Sequence, residues 1–169
     1  MAKKKVNALD LIQKIEKLTK ERMTSGDVVA LDQFRDFKNK VDPHTILIIE
    51  DDETMQTALK RIFEADGFNT RLASDGSELT VILDQVTPDL ILMDIGLPWI
   101  NGFELAQLLK DHRELKKIPL VFVSGQASEE DLKRAFALGA DDFIKKPFEI
   151  DKLRKTVATL LKISGPQKS

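Results

Sequence analysis

Over residues 7–23 the apolar positions Ala8, Leu11, Ile12, Ile15 and Leu18 recur at intervals of three and four. That spacing places them on one face of an amphipathic helix, with Asn7 able to cap its start. Thr24-Ser25-Gly26-Asp27 breaks the pattern, and Leu31, Phe34, Phe37 and Val41 then mark a second helix, which Pro43 ends because proline has no helical N–H to donate. Residues 1–43 read as a helical hairpin. Its heptad spacing lasts about two heptads, short of the three or four that argue a coiled coil. The stripe must therefore be covered, either by the domain that follows or by a second copy or partner. Beyond Pro43 the pattern changes to short strand-like segments, the most apolar of them continuous, at 46–49, 69–73, 89–93, 118–123 and 142–145. Helical stripes alternate with them: Met55, Ala58, Leu59, Ile62 and Phe63 form the first, and the others cover about 77–86, 102–112, 128–138 and 150–161.

Five strands alternating with five helices predict an α/β fold, a doubly wound five-stranded parallel sheet with helices on both faces, because crossovers between parallel strands are right-handed. The flavodoxin-like order 2-1-3-4-5 suits five units, and its switch point lies between strands one and three. The domain boundaries expected are a hairpin over 1–43, the α/β domain over 44–163 and a short polar tail over 164–169. At 169 residues with 42% hydrophobic composition the chain fills one sizeable core, and two large domains would not fit.

Charge changes this picture little. Residues 1–40 carry 10 Lys/Arg against 6 Asp/Glu, leaving 16 against 22 in the remainder. Neither excess argues for nucleic acid, since solvated mixed-charge helices look the same, and Lys3-Lys4-Lys5 reads as a solvated tail. There is no Cys, which removes disulfides, thiol nucleophiles and thiolate metal sites and suits a reducing compartment. No apolar run approaches the ~20 residues that span a bilayer, and the N-terminus lacks the apolar core of a signal peptide. The expectation is a cytoplasmic protein with no membrane span.

The candidate chemistry sits at strand ends. Leu90-Ile91-Leu92-Met93 runs into Asp94 and the turn Gly96-Leu97-Pro98, and the first strand runs into Glu50-Asp51-Asp52. If Glu50, Asp51 and Asp94 share the switch-point crevice, each pair at ~4 Å repels by ~4 kcal/mol at an effective dielectric of ~20. Either some of them hold protons or a divalent cation sits among them, and an all-oxygen site that keeps waters favours Mg2+. A solvated turn or helix cap is the alternative for the acidic run alone. Ser124 ends the fourth apolar run and Lys146 follows the fifth, so both open at the same sheet edge. A carboxylate nucleophile, a bound Mg2+, a hydroxyl and a lysine make a site for taking a phosphoryl group onto Asp94.

From about 44 to 161 the chain resembles a response-regulator receiver domain of two-component signalling. The resemblance rests on Ile46-Leu47-Ile48-Ile49-Glu50-Asp51-Asp52, Asp89-Leu90-Ile91-Leu92-Met93-Asp94-Ile95-Gly96-Leu97-Pro98, Ser124-Gly125 and Lys146-Pro147-Phe148, in order and at fitting intervals. It implies Asp94 as phospho-acceptor, Asp51 as a direct Mg2+ ligand, Glu50 acting on the metal through water and the backbone carbonyl of Gly96 as a third protein ligand. Lys146 would hold the phosphoryl oxygens from a cis Lys146–Pro147 peptide. Ser124 would turn toward them on activation and Phe143 would follow as the aromatic switch, altering the face built from the domain's fourth helix, fifth strand and fifth helix.

Two departures bear on rates. Gly96, two positions past the acceptor, has no side chain to orient or exclude a hydrolytic water, whereas Gln126, two past Ser124, could orient one; slow to intermediate self-dephosphorylation is expected. Asn101-Gly102 replaces a commoner Asp-Gly. Trp99 packs in the loop beside the site or meets a partner, and His44 and His112 are read as non-catalytic. The function expected is a stand-alone phosphorylation-dependent signalling switch, with a histidine kinase or phosphotransfer protein as donor and a downstream protein as target. It would not be an enzyme beyond its own phosphoryl transfer and dephosphorylation. A homodimer through the hairpin or the switch face is a possible assembly. The rivals are a receiver-like interaction or dimerisation scaffold that is not phosphorylated, and a Mg2+-dependent aspartyl phosphatase, which usually wants an acid/base carboxylate where Gly96 stands.

Overall fold

The computed structural model describes residues 43–164, together with Leu11 and Gln13; the expected hairpin otherwise, and the tail 165–169, lie outside the described residues. Five parallel strands, β1 (Thr45–Ile49), β2 (Asn69–Ala73), β3 (Leu90–Met93), β4 (Leu120–Ser124) and β5 (Asp142–Lys145), form one sheet in the order β2-β1-β3-β4-β5. The helices are α1 (Glu53–Ala65), α2 (Gly76–Gln85), α3 (Gly102–Asp111), α4 (Glu129–Ala137) and α5 (Ile150–Ser164). The expected α/β fold and strand order are both present.

The continuous apolar runs are explained by two-sided burial. Ile46 and Ile48 of β1, Leu90 and Leu92 of β3, Val121 and Val123 of β4 and Ile144 of β5 join Leu59 and Phe63 of α1 and Leu153 and Val157 of α5 in one cluster. The alternate residues Leu47, Ile49, Ile91, Met93, Phe122 and Phe143 pack with residues of α2, α3 and α4 in the other. Period-2 alternation thus directs apolar side chains to both faces at once. Each fully buried Leu, Ile or Phe contributes roughly 1.5–3 kcal/mol.

Helix starts follow side-chain caps. Asp52 accepts from Met55 N at 2.8 Å, Asp75 from Glu78 N at 2.9 Å and Asn101 from Phe103 N at 2.8 Å, while Ser128 and Asp131 form a reciprocal capping box. Asp52 is thus a cap, and it separates itself from the other two carboxylates of its run. α1 ends at Ala65 and the turn after it passes through Gly67, whose φ of +87° suits glycine.

Two boundaries differ by two residues or more from the sequence expectation. The fourth strand begins at Leu120, because Pro119 has no N–H for the ladder and a short 3-10 turn, Leu115–Lys117, occupies the approach. The last helix continues to Ser164, three residues past the expected end. The strand starts are held by carboxylates: Asp89 Oδ2 accepts from Thr45 N at 2.7 Å, and Asp141 Oδ2 from Leu120 N at 2.9 Å.

Gly102 is dictated by close approach. A Cβ there would stand 2.5 Å from Ile95 Cα and 2.6 Å from the Asp94 carbonyl oxygen, and Gly102 N donates to Ile95 O at 2.9 Å. Urea denaturation of Gly102→Ala is expected to show a loss of about 1–3 kcal/mol from overpacking, whereas Gly125→Ala, whose Cβ meets nothing within 4 Å, stays within about 0.5 kcal/mol of the parent. Equal effects would remove the close approach as the reason for glycine at 102.

Candidate functional site

Because β3 lies beside β1, their carboxyl ends deliver Glu50, Asp51 and Asp94 to one crevice. Glu50 follows β1 with its N–H donating to Ala73 O at 3.1 Å, and Asp94 follows β3 with its N–H donating to Ile49 O at 3.1 Å. One carboxylate oxygen from each of Glu50, Asp51 and Asp94 lies within 4.8 Å of the others. Glu50 is buried, Asp94 half-buried and Asp51 exposed. Lys146, just past β5, reaches the same place: Nζ lies 2.7 Å from Glu50 Oε2 and 3.3 Å from Asp94 Oδ2. Of the five groups expected at this edge, Glu50, Asp51, Asp94 and Lys146 converge, while the Ser124 hydroxyl bonds to Gln126 N. The Lys146–Pro147 peptide is cis, as the resemblance implied.

Burial is the largest influence on Glu50 and raises its pKa above the ordinary 4.5, despite hydrogen bonds from Lys146 and Asp52 N that favour the carboxylate. Burial alone would lower Lys146. Its hydrogen bond and ion pair with Glu50, joined by Asp94, outweigh that and raise it above 10.5, so it stays cationic. One ammonium faces three carboxylates. The excess negative charge, the all-oxygen donor set and the open side at Asp51 fit a hard divalent cation such as Mg2+. Glu50, Asp51 and Asp94 are the carboxylates able to hold it.

Ser124 closes β4 fully buried. Its Oγ accepts from Gln126 N at 3.2 Å, and its carbonyl accepts from Lys146 N at 2.9 Å, which ties it to the lysine through the backbone. Gly96 is exposed, and its N–H donates to Asp94 Oδ1 at 3.3 Å. A Cβ at Gly96 would meet Gln126 Nε2 at 3.6 Å, so the loops after β3 and β4 approach each other. Phe143 stands away from the carboxylates, buried in the helix-covered cluster with its ring 6.1 Å from Phe122. Trp99 packs against that same cluster, and its buried Nε1 has no hydrogen-bond partner among the described residues.

Neither histidine is at the site. His44 precedes β1 with Nδ1 3.7 Å from Asp89 Oδ2, and His112 Nδ1 accepts from Glu114 N and Leu115 N. Sequence reasoning missed Gln56, whose buried Nε2 donates to the Glu50 carbonyl and so fixes the backbone that presents Glu50. A polar residue one turn into α1 was the available signal. It also missed Lys110, which donates to Lys116 O and Ile118 O and secures the approach to β4.

A five-stranded doubly wound sheet with an acidic triad and a lysine at its switch point defines an α/β phospho-acceptor class of domain. The response regulator receiver domain family matches residues 46–158, and the chain belongs to that family, whose receivers are phosphorylation-dependent signalling switches. The aerobic respiration control protein ArcA of Escherichia coli K12 is 41% identical over 119 residues, 70% of this chain and 48% of that protein. The polar-differentiation response regulator DivK of Brucella anthropi is 34% identical over 119 residues, 70% of this chain and 97% of that one. The receiver domain of the sensor histidine kinase PA1611 from Pseudomonas aeruginosa, described with a magnesium ion coordinated in its active-site cleft, has the same fold: a TM-score of 0.64 at 22% identity, covering 71% of this chain and 98% of that one. The chain spans about half the length of the first curated relatives it matches.

The raised Glu50 pKa sets the sign of a pH effect. As pH rises past 4.5 the unfolded chain releases this proton first, so Glu50's contribution to folding, complete at lower pH, is lost as pH climbs through its folded value. Without added metal, the stability of Glu50→Gln relative to the parent should therefore improve between about pH 4 and about pH 7. Parallel urea titrations at the two pH values check this, and a relative stability that falls would reverse the assignment.

Proposed function

We propose that Asp94 accepts a phosphoryl group from a phosphohistidine on a histidine kinase or phosphotransfer protein. The observation that carries the proposal is the convergence at the sheet's switch point of one carboxylate oxygen each from Glu50, Asp51 and Asp94 within 4.8 Å, with Lys146 Nζ 2.7 Å from Glu50 and 3.3 Å from Asp94. An Asp94 carboxylate oxygen attacks phosphorus as the bond from phosphorus to the donor's imidazole nitrogen breaks, leaving that electron pair on the imidazole. Lys146 holds a phosphoryl oxygen and neutralises its charge, and Ser124 turns its Oγ from Gln126 N toward another. Mg2+, held by Asp51, Asp94, the Gly96 carbonyl and Glu50 through water, would offset the charge gathered between attacking and leaving groups. Phe143 then repacks as the switch aromatic.

The chain acts on its own phosphoryl group and on no separate substrate, and its output is protein contact in the cytoplasm. The α4-β5-α5 face suits such contact: Phe136 and Ile150 are 50% and 48% exposed there. A downstream protein or a second copy is the partner of that face. No helix among the described residues is long and apolar enough to cross a membrane. A scaffold that is never phosphorylated gives no account of the paired Lys146 and acidic triad.

With acetyl phosphate and Mg2+, intact mass is expected to show one phosphoryl group on the parent chain and none on Asp94→Asn; an adduct that persists in the variant would place the acceptor elsewhere. Gly96→Asn, whose amide would lie against Gln126 and could hold a water, should shorten the phosphoryl lifetime several-fold. An unchanged lifetime would remove Gly96 as a determinant of the rate.

A further inference from the structure

Glu50 lies one residue past the last paired position of β1, which ends at Ile49 opposite Met93. Its N–H still reaches Ala73 O at 3.1 Å, but no backbone N–H among the described residues donates to its carbonyl. Glu50 is only 3% exposed, and an unmatched acceptor at a buried residue is costly. The Gln56 side chain makes the missing bond, with Nε2 donating to Glu50 O. Of the two ends of that amide only the nitrogen can donate to a carbonyl oxygen, so the partner fixes the amide's orientation. Gln56 is itself buried near the start of α1, its own N–H bonded to Asp52 O at 2.9 Å.

The place of this bond gives it a role. The Glu50 carbonyl and the Asp51 N–H belong to one planar peptide unit, and that unit joins two of the three carboxylates of the pocket. Its rotation is set by ψ of Glu50 and φ of Asp51, the two angles that decide how one side chain is directed relative to the other. Glu50 points inward, 2.7 Å from Lys146 Nζ, and Asp51 stays exposed, yet an oxygen of each lies within 4.8 Å of the other and of Asp94. A second bond, from Asp52 N to Glu50 Oε1 at 3.2 Å, secures the carboxylate end. We propose that Gln56 is a positioning residue for the divalent cation: by holding the peptide between Glu50 and Asp51, it keeps their carboxylates at the spacing Mg2+ requires. This rests on the Mg2+-assisted phosphoryl transfer to Asp94 proposed above, and extends it from the groups that hold the metal to the one that sets two of them. The Gln56 amide meets the main chain, so it acts through Glu50 and Asp51 and not as a ligand.

Amide NMR shifts during Mg2+ titration of the full chain test this, on the parent, Gln56→Met, Gln56→Asn and Val157→Ala, with urea midpoints measured alongside. Met keeps the length and removes the donor, and Asn keeps the amide one methylene short of the carbonyl. Val157, fully buried on α5 in the cluster shared with α1, supplies a loss of stability with no bond to the pocket. The Kd for Mg2+ is expected to rise about tenfold in both Gln56 variants and to stay unchanged in Val157→Ala. With acetyl phosphate, the Mg2+ concentration for half-maximal phosphorylation should rise by the same factor, while the rate at saturating Mg2+ stays within about twofold of the parent. An unchanged Kd in the Gln56 variants, or an equal rise in Val157→Ala, would overturn the positioning role and leave Asp94 as acceptor. A parent chain that binds no Mg2+ would overturn both. Should Gln56→Met lose its fold by far-UV circular dichroism, the milder Gln56→Asn decides.

Discussion

Everything at the carboxyl edge of this sheet answers to one electrostatic constraint: three carboxylates are gathered where water is partly excluded, and a single ammonium stands among them. Lys146 reaches two of the three, pairing with buried Glu50 at 2.7 Å and half-buried Asp94 at 3.3 Å. Asp51 remains at the solvent side. Such an arrangement is stable only while the excess charge is neutralised by protons or by a cation, and burial, with a smaller push from Asp94, already raises the affinity of Glu50 for a proton. A phosphoryl group entering the site adds more negative charge. The pocket is therefore one whose occupants must be correlated.

The geometry depends on rigidity behind it. Lys146 is fixed at its backbone by Ser124 O, Glu50 by Ala73 O and the Gln56 amide, and Asp94 by Ile49 O, so each charged group hangs from a different strand of one hydrogen-bonded sheet. Two apolar layers hold that sheet in place. The loops between the strands and helices can then differ in composition without moving the charged groups relative to one another.

Much of this was legible in the sequence because it depends on local pattern. Apolar runs ending in Glu50, Asp94 and Ser124, and the short Phe143-Ile144 pair before Lys145-Lys146, gave both the strands and the edge at which chemistry would appear, and the order of βα units made Glu50 and Asp94 neighbours. What could not be read depends on distances between separate backbones. The need for glycine at 102 arises from the approach of α3 to Ile95, and the roles of Asp89 and Asp141 arise from strand starts 44 and 21 residues away in the chain. Pro119 did carry a local signal, the missing N–H, and it shortened β4 as that signal should have indicated. Leu11 was legible as part of an apolar stripe, but which surface covers a stripe is a property of the folded domain.

The contact between Gly102 and Ile95 has a further consequence. With Gly102 N bonded to Ile95 O and its α-carbon seated on the Asp94–Ile95 backbone, the intervening residues form a closed ring whose two ends are fastened together. Pro98 and Trp99 belong to that ring, outside the fastening, while Gly96 stays bonded to Asp94 Oδ1. Changes at 98 and 99 alter what meets the pocket from outside without pulling on the strand that carries Asp94. The fold thus decouples the backbone under Asp94 from the outer part of the loop that follows it.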